Sequence, residues 1–186
     1  MKRRILLISG SLRRSSSNTA LLRTAAHIAP EGVDCRLYGG LARLPAFNPD
    51  DDRDLLHPEV QELRSAIHRA DAIIFSTPEY AGSLPGSLKN LLDWTIGDDR
   101  AGSIYEKPVG WLNASPRGAE GAHRELLTVL SYAHARVIET ACAEIPVTAH
   151  MIGSDGLVEL GTSRPALEAV LSALAATTRS VSRSIE

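Results

Sequence analysis

The sequence predicts an α/β domain: a doubly wound, five-stranded parallel sheet with helices on both faces. Three observations point there. Apolar runs of strand length alternate with stretches of helical periodicity, in the order βα repeated five times. The main strand runs are continuously apolar, as expected of strands covered on both faces. The 186 residues suit one domain of this kind, assigned to residues 1–186.

Ile5-Leu6-Leu7-Ile8 is the first strand and ends in Ser9-Gly10. From Asn18 the pattern turns helical, with Leu21 above Ala25 and Leu22 above Ala26, and Pro30 closes it. Asp34 to Leu37 is a weaker strand. Arg43 to Leu56 is the longest irregular stretch. Its Asp50-Asp51-Asp52 run lacks the spacing of a calcium loop and is expected to be solvated. Pro58 opens a helix whose face is Val60, Leu63, Ile67 and Ala70. Ala72-Ile73-Ile74-Phe75 is the clearest buried strand. Leu88, Leu91, Leu92 and Thr95 form the face of the next helix. Val109 to Leu112 follows Pro108 as a strand, and Leu126, Leu130 and Ala133 mark a helix. Val137-Ile138 and Ala141 to Ile145 make an interrupted last strand. Leu167, Val170, Leu171, Leu174 and Val181 define a terminal helix with Ser163 available as its cap. Right-handed crossovers pack such a chain into one sheet. Rossmann and flavodoxin-like strand orders both fit, and five strands in this length favour the flavodoxin-like one.

Composition narrows the partners. A 44% hydrophobic content builds a core, and a net charge of −2 gives no reason to expect nucleic acid or an anionic membrane. Two cysteines imply no disulfide framework, and Cys142, in an apolar strand, is expected in the core. Lys2-Arg3-Arg4 before Ile5 to Ile8 mimics a signal peptide, but the apolar run is short and no cleavage site follows. The protein is therefore expected to be cytoplasmic and unprocessed, with no membrane contact. The six histidines show no zinc spacing, and His123 is expected on a helix surface. No metal site is expected.

In a doubly wound sheet, ligands bind beyond the carboxyl ends of the strands, where the strand order reverses. Loop one, Gly10 to Asn18, leaves a buried strand and enters a helix. The helix N-terminus offers unpaired N–H groups, and four serines, an asparagine and two arginines add donors. That set suits a terminal phosphate dianion. It is neither a P-loop nor a dinucleotide fingerprint, since the required glycines and lysine are missing. Loop three, Thr77 to Gly86, is stiffened by Pro78 and Pro85 and holds Tyr80, Gly82 and Gly86. It could hold the polar edge of a flat heterocycle, although an ordinary Pro/Gly connector reads the same way. Loop four, Asn113 to Ala122, is glycine-bearing and equally open to being a plain connector.

Together these loops resemble the NADPH-dependent FMN reductase family, which includes chromate and quinone reductases. Gly10, Ser11, Arg13, Ser16 and Asn18 match its first motif. Thr77 to Trp94 matches its Thr-Pro-Glu-Tyr-Asn-Gly-Ser-x-Pro-Gly-x-Leu-Lys-Asn-x-x-Asp-Trp motif nearly throughout, with Ala81 replacing the asparagine. Ser115, Pro116 and Gly121 match a third motif, Ser-Pro-Gly-x-x-Gly-Gly. There Arg117-Gly118 reverses the glycine placement and Ala122 replaces the second glycine. Leu44 to Asp50 looks like the family's connector after the second strand.

The resemblance implies that Ser11, Arg13, Ser16, Ser17 and Asn18 bind the phosphate of FMN. It implies that Pro78, Glu79, Tyr80 and Gly82 contact the isoalloxazine, largely through backbone. Ser115 and Gly118 would border its other side. It further implies NADPH or NADH as electron donor and a small-molecule acceptor such as a flavin or quinone. The chain would form a homodimer or homotetramer, with the Leu88 to Trp94 helix as candidate interface. The cofactor carries the hydride chemistry, so no catalytic side chain is nominated, and one shared flavin face implies ping-pong turnover. Two rivals stand beside this. One is a flavodoxin-type electron carrier, against which the near-neutral charge argues. The other is a flavin-dependent redox-sensing module. A serine hydrolase is disfavoured because no G-x-S-x-G elbow is present.

Overall fold

The structure is a computed structural model that describes residues 2–53 and 55–181, and side chains through residue 177. Five strands form one parallel sheet: β1 (Arg3–Ser9), β2 (Val33–Leu37), β3 (Ala72–Ser76), β4 (Pro108–Asn113) and β5 (Arg136–Glu144). Their order is β2-β1-β3-β4-β5, the flavodoxin-like arrangement. Five helices alternate with them: α1 (Ser17–His27), α2 (Pro58–Arg69), α3 (Gly86–Ile96), α4 (Glu120–Tyr132) and α5 (Arg164–Val181).

Strand periodicity divides the core in two. Leu6, Ile8, Ile73, Phe75 and Val109 face α2, α3 and α4. Ile5, Leu7, Ala72, Ile74 and Leu112 face α1 and α5 through Leu21, Leu22, Leu167, Val170, Leu171 and Leu174. Both faces are buried, which is why the strands read as unbroken apolar runs. Val181 ends α5, and its side chain lies outside the described residues. Among the described residues, no helix is long and apolar enough to cross a membrane.

The interrupted last strand has a physical cause. Val109 pairs with Val137 but Trp111 pairs with Cys142, so β5 bulges opposite Gly110. A Cβ at Gly110 would collide with the backbone of Ala141, so glycine is what lets the bulge press onto β4. Cys142 sits beside the bulge and is half-buried rather than in the core.

Several sequence expectations are corrected. Arg43 to Leu56 holds two 3-10 turns, Leu41–Arg43 at its start and Pro49–Asp51 within it. It is tied down: Phe47 N donates to Asn90 Oδ1 at 2.7 Å, and Trp94 Nε1 donates to Pro45 O at 2.9 Å. Asp52 is not a solvated loop residue. Its Oδ2 lies 2.8 Å from Nη2 of the buried Arg64, whose Nε donates to Trp94 O at 2.9 Å. A buried guanidinium requires such partners. Leu91 and Trp94, nominated for an interface, are shielded inside this chain: both belong to its core, and Phe47 packs edge-on against Trp94 at 5.0 Å. Their burial needs no partner. Ser163 is the last residue of a 3-10 turn, Gly161–Ser163, that runs directly into α5.

Candidate functional site

Strand β1 pairs with β2 on one side and β3 on the other, so the connections after β1 and β3 leave in opposite directions and open a crevice at their carboxyl ends. Ser9 and Ser76 stand level there. A cleft of about 810 Å³ occupies this position, lined by loops one, three and four and by the segment after β5.

Loop one is shaped from within. Ser9 Oγ accepts from Ser11 N at 3.3 Å, and Ser11 Oγ accepts from Arg13 N at 3.3 Å. Ser16 is the N-cap of α1, with extended φ/ψ of −82° and 122°, and its Oγ accepts from Thr19 N at 3.2 Å. The hydroxyl proton of Ser16 stays available for a ligand. The buried Asn18 anchors the helix start: its Oδ1 lies 2.9 Å from Ser76 Oγ, which donates to Leu112 O at 2.7 Å. Loop one is thereby locked to β3 and β4, and Ser16, Ser17 and Asn18 at the start of α1 line the cleft.

Loop three turns on a tight hairpin. Tyr80 N donates to Ser83 O at 3.0 Å, and Ser83 N returns to Tyr80 O at 3.1 Å. The two residues between them, Ala81 (φ 52°) and Gly82 (φ 74°), both have positive φ, the signature of a type I′ turn. Asparagine and glycine are the residues such a turn prefers, so the departure at Ala81 costs backbone strain rather than only an amide contact.

Two carboxylates clamp loop three to α4. Glu79 Oε2 accepts from Ala122 N at 3.0 Å, supplying the cap that Ala119, left-handed at φ 54°, cannot. In return Glu125 of α4 accepts from Ser83 Oγ and, at 3.0 Å, from Leu84 N. The Ser83 hydroxyl first, and the Leu84 amide second, hold the Glu125 carboxyl below its ordinary pKa. A Cβ on Gly121 would collide with Gly82 O, so this glycine is what allows loop three and α4 to touch. Loop four is held by Asn113, whose Oδ1 accepts from Ser115 N at 3.0 Å and whose Nδ2 donates to Gly118 O.

The structure brings together Ser11, Arg13, Ser16, Ser17, Asn18, Pro78, Glu79, Tyr80 and Ser115, all lining the cleft. Gly82 and Gly118 do not line it. Both serve as positive-φ turn residues, at 74° and 92°. Sequence reasoning counted Arg14 only among the loop-one donors, and it missed Arg23, Arg117 and the β5–α5 segment Ala149, Ile152 and Gly156, which close the cleft. The βα alternation held that last signal, since this segment also leaves a strand's carboxyl end. The arginines Arg13, Arg14, Arg23 and Arg117 enter no ion pair among the described residues. Glu79 is the one acidic lining residue, and its carboxylate is committed to Ala122. The cleft is built for anions. His123 is another correction: it is 91% buried, not on the surface. Its Nδ1 donates to Ala119 O at 2.9 Å, and its Nε2 has no partner among the described residues.

Comparison with known proteins agrees with the fold. A probable NADPH:quinone oxidoreductase of Oryza sativa subsp. japonica is 40% identical over 115 residues, 58% of this chain and 57% of that protein. An NAD(P)H-dependent FMN reductase of Pseudomonas aeruginosa is 41% identical over 112 residues, 60% of each. The matched stretch thus spans less than two thirds of these curated relatives. The solved structure of FerB, a flavoenzyme NAD(P)H:(acceptor) oxidoreductase from Paracoccus denitrificans, superposes with a TM-score of 0.82 at 26% identity. It covers 96% of this chain and 98% of that one. Residues 3–148 match the family model of the NADPH-dependent FMN reductases, and the chain belongs to that family.

Proposed function

We propose that the chain is an FMN-dependent NAD(P)H oxidoreductase that passes electrons to a small acceptor such as a flavin or quinone. The observation that carries this is the cleft: a helix N-terminus, serine donors and unpaired arginines at the carboxyl ends of β1, β3 and β4. FMN fits that donor set. Ser11, Arg13, Ser16 and Ser17 would take its phosphate, with Asn18 fixing the start of α1 beneath them. Pro78, Glu79 and Tyr80 would face the ring system through backbone, because the Glu79 carboxylate is already used on Ala122. Ser115 would border the opposite side, with Gly82 and Gly118 shaping the loops. When bound, FMN supplies the ring that accepts and donates hydride.

The chain's own residues would orient the ring and exclude water from one side of it. Tyr80, 48% exposed at the mouth, would shape access for acceptors. With Tyr80 at the mouth, the cleft would admit one planar partner at a time, so the oxidised nicotinamide would leave before the acceptor enters and turnover would be ping-pong. On this reading the protein works in the cytoplasm as a homodimer or homotetramer. The test is the absorbance spectrum of the purified protein. It should be yellow and release FMN rather than FAD on denaturation. A colourless protein that cannot be reconstituted with FMN would refute the proposal.

A further inference from the structure

One phosphate dianion neutralises two of the four arginines that line the cleft. Loop one alone holds what such a phosphate needs: the start of α1, its serines, Arg13 and Arg14. We infer that Arg117 holds the phosphates of the nicotinamide donor, a proposal that rests on the flavin reading above.

Three features assign it there. Arg117 lines the cleft from loop four, outside loop one, whose helix start, serines and two arginines already supply a phosphate's donors. Its placement suits a ligand that comes and goes: Arg117 is exposed, as Arg13 and Arg14 are, but it stands outside the loop that carries the buried Ser16 and Asn18. Its backbone is fixed, with Arg117 N donating to Ser115 Oγ at 3.2 Å and Asn113 bracing the loop beneath. With no acidic partner, the side chain is free to pair with a phosphate, to which guanidinium donates in a bidentate fork. Both NADPH and NADH carry a pyrophosphate, and NADPH adds a 2′-phosphate.

The experiment compares wild type with Arg117→Gly and Arg117→Gln. FMN uptake by the apoprotein is measured first. NADP⁺ and NAD⁺ are then titrated into the oxidised holoprotein, followed by KM for NADPH and NADH with an uncharged quinone as acceptor. FMN affinity and kcat should hold. The NADP⁺ dissociation constant and the NADPH KM should rise about tenfold, an effect that shrinks with added salt. An equal loss with NAD⁺ and NADH assigns the pyrophosphate, and a loss confined to NADP⁺ and NADPH assigns the 2′-phosphate. Unchanged dinucleotide affinities would overturn the inference, as would a loss that falls on FMN instead. Arg124→Ala, exposed on α4 outside the cleft, serves as charge control, and an equal loss there would also overturn it. Wild-type apoprotein that takes up no FMN would defeat the flavin reading itself, before any variant is compared.

Discussion

Glu79 Oε2 accepts the backbone N–H of Ala122 at 3.0 Å, so a residue of loop three caps the helix that follows loop four. The carboxylate sits at the positive end of α4, and Glu125 returns the contact from the next turn of the helix. Two walls of the cleft are thereby held as one unit.

Glu79→Ala should lower stability by about 1–2 kcal/mol, because it strips the helix of its cap and leaves the buried Ala122 N–H unpaired. Glu79→Gln keeps an acceptor oxygen and should lose less. Urea denaturation of both variants checks this. FMN affinity should fall in the same order, since loop three loses its anchor. An alanine variant as stable as wild type would mean that the cap carries no weight.

Ala81 should respond in the opposite direction. Its φ of 52° belongs to a turn that asparagine adopts more easily. Ala81→Asn should raise stability by about 1 kcal/mol, read as an upward shift in Tm. Ala81→Gly relieves the same strain but adds unfolded-state entropy, so its gain should be smaller.

Much of this was legible in the sequence, for a definite reason. Strand runs such as Ala72 to Phe75 and the Thr77 to Trp94 motif carry their signals locally, and the topology of the sheet then places the loops. Contacts that join distant segments had no such signature. Asp52 reads as one of three solvated aspartates until Arg64 is seen against it. His123 reads as a surface residue until Trp111 packs beside it at 6.1 Å. The Glu79 cap spans 43 positions, and Gly156 meets the cleft from beyond β5, near Arg23.

Loop one yields a graded prediction. Arg13→Ala should weaken FMN binding about tenfold or more, and more than Arg14→Ala, since Arg13 is the arginine that the first motif carries. Calorimetric titration of FMN into each apoprotein checks this. Equal and negligible effects would place the phosphate elsewhere.

Stability should depend on pH through Lys107. Its buried Nζ donates to Ile67 O and Ala70 O, both at 2.7 Å. Burial pulls its pKa down from 10.5 to about 8, opposed in part by Asp71, reinforced by Arg4 and opposed again by Asp98. Between those values the unfolded chain binds the extra proton, so stability rises as pH climbs from about 8. Above pH 9 the cysteines act with opposite sign. Burial pushes the thiols of Cys35 and Cys142 up to about 12 and about 11, so the unfolded chain loses those protons first. Urea midpoints should therefore rise between about pH 8 and 9 and then level off or fall. Lys107→Met should abolish the rise. A wild-type midpoint that falls steadily from pH 8 would contradict the assignment.

The central claim is that this cleft holds FMN and reduces it with a nicotinamide donor, and anaerobic half-reactions test it most directly. Apoprotein is titrated with FMN, then mixed with one equivalent of NADPH in the absence of any acceptor, and a quinone is added last. One FMN per chain should bind. Its oxidised absorbance should bleach on mixing with NADPH alone, and it should return when the quinone enters. Flavin that does not bind, or that bleaches only when donor and acceptor are present together, would contradict the account.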